Sequence, residues 1–257
     1  MTSYETFVHL HQKGKPILLG NAWDAASARL LENNGLEAIG TSSAAIANIF
    51  GYGDGEEISF RELLIMVERI FASIRVPLSV DMEKGYGEDS STIISNIEKL
   101  IETGAVGINI EDSSPLKGSG ELVAPEIFCR KLSAIKDHLE KNNLKLFVNA
   151  RTDAYLLNIP SPFETSIERI KWYEHAGADG IFVPFVTEIE VIRKITAATK
   201  LPVNVLSAPG LPSLDALSEA GVSRVSLGSS LFRATYRQAE RMIQQVVKDR
   251  AVRSLFG

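Results

Sequence analysis

One cysteine, Cys129, in 257 residues rules out an intrachain disulfide, which fits a reducing compartment. No apolar run approaches the ~18 to 20 residues of a membrane span. The opening MTSYETFVHLHQKGKP holds no stretch suited to a signal peptide. Basic residues are not in excess: 27 Lys and Arg face 32 Asp and Glu, a formal net charge of −5. That balance argues against nucleic acid or an acidic membrane surface as partner. It leaves an anionic substrate open, because a local metal and arginine override the global sign. Linkers, low-complexity tracts and charge blocks are also missing, and no G-x-G-x-x-G follows the first apolar run. The expectation is a cytoplasmic protein with a single domain over 1–257.

What the chain does have is rhythm. Eight β-rich runs alternate with helical patterns: ILLG (17–20), EAIGTS (37–42), PLSVD (77–81), VGINIE (106–111), LFVNAR (146–151), GIFVP (180–184), PVNVL (202–206) and VSRVSLG (222–228). Most are continuously apolar, as parallel strands covered on both faces must be. Between them, segments such as 124–143 space Phe128, Leu132, Ile135 and Leu139 along one helical face. Helices are expected over 25–35, 163–176 and 211–220 as well. Four junctions repeat one phrase, a helix stopped at Gly and then a strand: NGLEAIG, TGAVGIN, AGADGIF and AGVSRVS. Eight such units, at a length near the ~250 residues of that fold, predict an α/β (β/α)₈ barrel. A doubly wound open sheet is the alternative. A long last helix, about 229–247, carries Leu231, Tyr236, Met242, Ile243 and Val247 on a face suited to the barrel or to a neighbouring subunit.

Polar chemistry clusters at the strand ends, where such a barrel builds its active site. The run PLSVD leads through Asp81 to Glu83, and VGINIE ends in Glu111. Three hard carboxylates from two adjacent strands suit Mg²⁺, or Mn²⁺ with similar preferences, and leave room for water and substrate oxygens. The two-residue spacing of Asp81 and Glu83 is expected to send both to one side of an extended segment. Each acid taken singly is as well explained by helix capping or pairing with Lys84 or Arg151. Arg151 ends the fifth run and is placed to grip a carboxylate. The second run opens into 40-GTSSAAIAN-48, whose Ser42 and Ser43 offer a nest for an anion. The Gly-rich turn after it brings Asp54, a candidate acid or a solvated turn residue.

The blocks 20-GNAWDAASARLLENNGLEAIGTSSA-44, 77-PLSVDMEKGYGE-88, 105-AVGINIED-112, 148-VNARTDA-154 and 203-VNVLSAPGLPSLDAL-217 resemble the phosphoenolpyruvate mutase/isocitrate lyase superfamily. The likeness spans about 15–235. It implies a (β/α)₈ barrel whose Mg²⁺ chelates a 2-oxo acid or its enolate. On this sequence it implies Asp81, Glu83 and Glu111 as metal-site acids and Arg151 as the substrate arginine. It also implies Trp23, Ser42, Ser43 and, from the 203-VNVL block, Asn204 as substrate-binding residues, with Asp54 near the metal's water shell. A homo-oligomer, a dimer of dimers, is expected with it. The K-[KR]-C-G-H loop of the lyases is replaced by 111-EDSSPLKGSGELVAPE-126, which has neither Cys nor His. Lys117 stands where the mutases' K-x-N loop has its lysine, but the Asn is missing.

These readings converge on a metal-dependent C–C lyase or decarboxylase for a small anionic 2-oxo or 2-hydroxy carboxylate. Arg151, Asp54, Lys117 and Glu121 are its catalytic candidates. Cleavage or transfer at a phosphonate P–C bond is the alternative, and a non-enzymatic binding barrel a second. A Schiff-base lysine is disfavoured, since Lys145 and Lys200 precede their strands. Cys129 sits on the shoulder of an apolar helix face and is read as structural. The four histidines fall on helices or the N-terminal arm.

Overall fold

The four repeated glycines show why the chain alternates as it does. Gly35, Gly104, Gly177 and Gly221 have φ of +84°, +108°, +90° and +82°. Each stops its helix in a left-handed turn that a residue with a Cβ adopts only at a cost, and so redirects the chain into a strand. The computed structural model describes residues 1–12, 14–114 and 120–256. Eight parallel strands close a barrel: β1 (Ile17–Ala22), β2 (Ile39–Thr41), β3 (Leu78–Asp81), β4 (Gly107–Glu111), β5 (Phe147–Arg151), β6 (Gly180–Val183), β7 (Val203–Leu206) and β8 (Arg224–Ser226). Each pairs with its neighbours in sequence, and β8 returns to β1. The expected barrel is present, and the open sheet is excluded.

Some elements are shorter than their patterns. The second run stops at Thr41 because Ser42 caps the helix Ser43–Ile49, its side chain accepting from Ala45 N–H. The helix expected from position 211 begins at Leu214, after Pro212, with Ser213 as its cap. Between β4 and β5, Ser113–Ser114 and Glu121–Leu122 pair as a two-stranded antiparallel ribbon.

Outward-facing Ile39, Leu78, Val80, Ile108, Val148, Ile181 and Val205 pack under the helices in the main core. A second apolar cluster plugs the N-terminal end of the barrel, with Phe7 and Leu10 of the helix Ser3–Leu10 against Leu19, Val106 and Phe147. Phe7 enters because Gly107 has no Cβ, which would lie 2.8 Å from its ring. The barrel interior above this plug is polar. Asn21, Ser79, Asn109, Asn149, Asn204, Arg224 and Ser226 are all buried there, where Val, Ile and Leu usually fill the layers.

The last helix, Ser230–Asp249, reaches the core through Phe232, whose ring meets Trp23 at 5.3 Å. Tyr236, Ile243 and Val247 remain 55%, 56% and 71% exposed. Among the described residues, no helix is long and apolar enough to cross a membrane.

Candidate active site

The C-terminal mouth of the barrel gathers the acids. Asp81 closes β3, its N–H held by Thr41 Oγ1 at 2.9 Å. Ser43 Oγ lies 3.0 Å from Asp81 Oδ2 and 3.2 Å from Asp54 Oδ1. One hydroxyl carries one proton, so it serves only one of the two carboxylates at a time. Asp81 Oδ1 is buried and has no hydrogen-bond partner among the described residues. Burial, and then the charge of Asp81, holds the Asp54 carboxyl above its ordinary range.

Glu83 corrects the expectation drawn from spacing. The strand ends at Asp81, and Glu83 has φ +49°, so the extended geometry that would align the two side chains is lost. Its Oε2 accepts from Glu56 N–H and its Oε1 from Tyr86 Oη–H, both at 2.7 Å. Tyr86 N–H donates in turn to Glu56 Oε1 at 2.7 Å. Glu56 and Tyr86 are left-handed too, at φ +63° and +55°. Such non-glycine residues each cost ~1 to 3 kcal/mol and persist only where their surroundings over-determine them. Burial, followed by the charge of Asp54, lifts the Glu83 carboxyl to about 8.

Glu111 and Arg151 sit side by side in the β4–β5 register, with Nη1 to Oε2 at 2.9 Å. Arg151 Nε also meets Asp153 Oδ1 at 2.6 Å, and Ser113 Oγ donates to the other oxygen of Asp153 at 2.6 Å. Burial pulls the guanidinium down, but Glu111 and Asp153 carry it above its ordinary value, so it is always charged. Burial likewise drives the Glu111 carboxyl up, opposed by Arg151. In this arrangement the Glu83 and Glu111 carboxylates are paired with protein groups, whereas Asp81 Oδ1 has no partner among the described residues. Among the described residues, no group of three or more His, Cys, Asp or Glu side chains is arranged to hold a metal ion. Glu83 is committed to Glu56 and Tyr86, and Glu111 to Arg151.

Between these groups lies a cavity of about 260 Å³, room for a molecule of a few carbons. Ser42, Ser43, Asp54, Asp81 and Arg151 line it, as the sequence predicts. Trp23 does not. The residue is 6% exposed and packs in the core, its backbone N–H donating to Ser27 Oγ at the start of the next helix. Asn204 is buried below the cavity, accepting from Ser226 Oγ at 3.2 Å. Glu121 is exposed on the antiparallel ribbon, away from the lining. Lys117 lies outside the described residues. Cys129 packs partly buried against the main core, with burial raising its thiol.

Sequence reasoning missed Asn21, Asn109 and Ser226, which line the cavity from below, and Phe182 and Arg233 on its walls. A signal for the first three existed. Asn21 and Asn109 are each a polar residue flanked by small or apolar ones (GNA, INI), and Ser226 shares its short strand with Arg224, as a polar barrel interior requires.

The family described as phosphoenolpyruvate phosphomutase matches residues 7–247. An uncharacterized protein of Mycobacterium tuberculosis is 38% identical over 224 residues, 87% of this chain and 82% of its own. A 2-methylisocitrate lyase of Aeropyrum pernix is 29% identical over 252 residues, 93% of this chain and 78% of its own. The crystal structure of a Burkholderia cenocepacia protein, assigned provisionally as a lyase/mutase, superposes with a TM-score of 0.92 at 31% identity. That likeness covers 98% of this chain and 91% of the other. A family match over nearly the whole chain, on the same closed barrel, means that the chain belongs to the phosphoenolpyruvate mutase/isocitrate lyase superfamily.

Proposed function

We propose that the cavity binds a small 2-oxo or 2-hydroxy carboxylate beside Mg²⁺ or Mn²⁺ and breaks the C–C bond that leaves an enolate. The observation that carries this reading is the buried Oδ1 of Asp81, unpartnered among the described residues, on a side chain that lines the same cavity as Arg151. An orphaned carboxylate oxygen in a crowd of acids is what a hard cation satisfies. Asp81 would hold the ion directly, with Asp54, Glu83 and Glu111 accepting from its water shell. When bound, the cation supplies Lewis-acid polarisation of the substrate's 2-oxo group.

The protein's own groups supply the rest. Arg151 holds a substrate carboxylate with its charge fixed by Glu111 and Asp153. The Ser43 backbone N–H at the helix start and the Ser42 hydroxyl orient the same end of the molecule. Bond cleavage sends its electron pair into the enolate, and Arg151 stabilises that charge as it grows. In decarboxylation CO₂ leaves, and a proton from solvent or from the Asp54 carboxyl returns to the carbon. In lyase cleavage of a hydroxy acid, the Asp54 carboxylate would instead take the hydroxyl proton. Decarboxylation asks least of a chain that lacks the lyase Cys and His.

Turnover of oxaloacetate, 2-methylisocitrate, 2,3-dimethylmalate and phosphonopyruvate with and without Mg²⁺ tests the proposal. At least one C–C substrate should be consumed only with metal. Asp81→Ala and Arg151→Ala should each lower kcat/KM by roughly 100-fold or more. An Asp81→Ala variant as active as the parent would end this reading. Turnover of phosphonopyruvate alone would favour P–C chemistry, and metal-dependent oxalate binding with no turnover a binding barrel.

A further inference from the structure

Under the cavity lies a buried cation with no acid against it. Arg224 is 1% exposed and heads the largest fully buried side chains. From β8 its Nη2 donates to Asn109 Oδ1 on β4 at 3.0 Å, and its Nε to Ser226 Oγ at 3.2 Å. β8 and β4 are opposite one another in the ring, so the guanidinium spans the barrel's diameter. Its Nη1 has no partner among the described residues. Burying a guanidinium without a contacting carboxylate is costly, and an aliphatic side chain would fill a barrel interior without that cost. Packing therefore does not account for it.

Asn109 does. Its Oδ1 also accepts from Asn149 Nδ2 at 2.9 Å. With the oxygen engaged twice, and with arginine having no acceptor to offer, the carboxamide has one orientation. Its N–H₂ is the end left for the cavity that Asn109 lines. We propose that Arg224 is a positioning residue, fixing the Asn109 carboxamide so that its N–H₂ meets the substrate's oxygens and setting a permanent positive charge beneath Asp81. Burial draws Arg224 down to about 9, opposed by the charge of Asp81, so the guanidinium stays a cation at neutral pH.

The inference rests on the enolate reading above, and oxalate with Mg²⁺ is the probe because it occupies the metal and carboxylate positions alone. Titration calorimetry on the parent, Arg224→Met, Asn109→Ala and the double variant forms a cycle. Each single change should weaken Mg²⁺-dependent oxalate binding by roughly 10- to 100-fold, the value of a charge-assisted or substrate hydrogen bond. The double variant should lose no more than the worse single. Losses that multiply in the double variant, or an Arg224→Met protein with parental affinity, would overturn the role of Arg224 and leave the enolate reading standing. A parent that binds no oxalate with Mg²⁺ would sink both. Should Arg224→Met fail to fold, Arg224→Lys takes its place in the same cycle. It keeps the charge but loses the planar fork, so it should recover part of the affinity and show the same coupling to Asn109.

Discussion

Replacing Glu83 by glutamine tests whether the acid wall is built for a cation at the expense of the metal-free fold. The Glu83→Gln side chain keeps both contacts: its oxygen accepts from Glu56 N–H, and its amide N–H donates to Tyr86 Oη in place of the reverse bond. Only the charge is lost. In the parent the carboxyl moves from an ordinary 4.5 to about 8 on folding. A group raised in the fold contributes stability that is complete below 4.5 and is lost as pH rises through 8. Each pH unit across that window is worth ~1.4 kcal/mol, so ~5 kcal/mol is an upper figure for the full loss. Relaxation of Asp54 and Tyr86 reduces it to a few kcal/mol. In urea titrations with EDTA, the glutamine variant should therefore exceed the parent by roughly 2 kcal/mol or more at pH 9 and match it near pH 5. Saturating Mg²⁺ should reverse the order at pH 8, by stabilising the parent more than the variant. A gap of equal size at both pH values, or none at pH 9, would refute the reasoning.

Two further outcomes are expected. His11 is buried against Phe147, with ring centroids 4.5 Å apart, and burial and Arg224 lower it to about 3. Its neutral form supports the fold above pH 6.5, and that support is lost as pH falls toward 3, so His11→Phe should unfold at a lower pH than the parent in acid titrations followed by circular dichroism. The apolar positions Tyr236, Ile243 and Val247, left exposed by the last helix, fit a second copy, and light scattering at micromolar concentration should give a multiple of 28.1 kDa; a monomer mass would remove the oligomer from the proposal.

The barrel was legible because its signals are local. Continuous apolar runs mark strands covered on both faces, and the glycines at 35, 104, 177 and 221 mark the turns between helix and strand. Asp81 and Arg151 were legible because a charged residue at the end of an apolar strand has few other places to be. Side-chain direction past the strand end was not legible. Glu83 leaves the extended conformation two residues past the strand's end at Asp81, and Trp23 is turned into the core by a helix cap. Arg224 reads as an ordinary basic residue in a short strand, and only closure of the ring brings it to Asn109, 115 positions away.

Glu56, Glu83 and Tyr86 hold one another in backbone conformations that none would adopt alone. A segment built this way forms or fails as a unit, so the distance between the Asp54 turn and β3 cannot be tuned by small steps. That side of the mouth is inherited whole, with its geometry set before any ligand arrives. A change in what the mouth accepts must then come from segments outside this triad, such as the stretch between Glu111 and the helix that begins at Pro125.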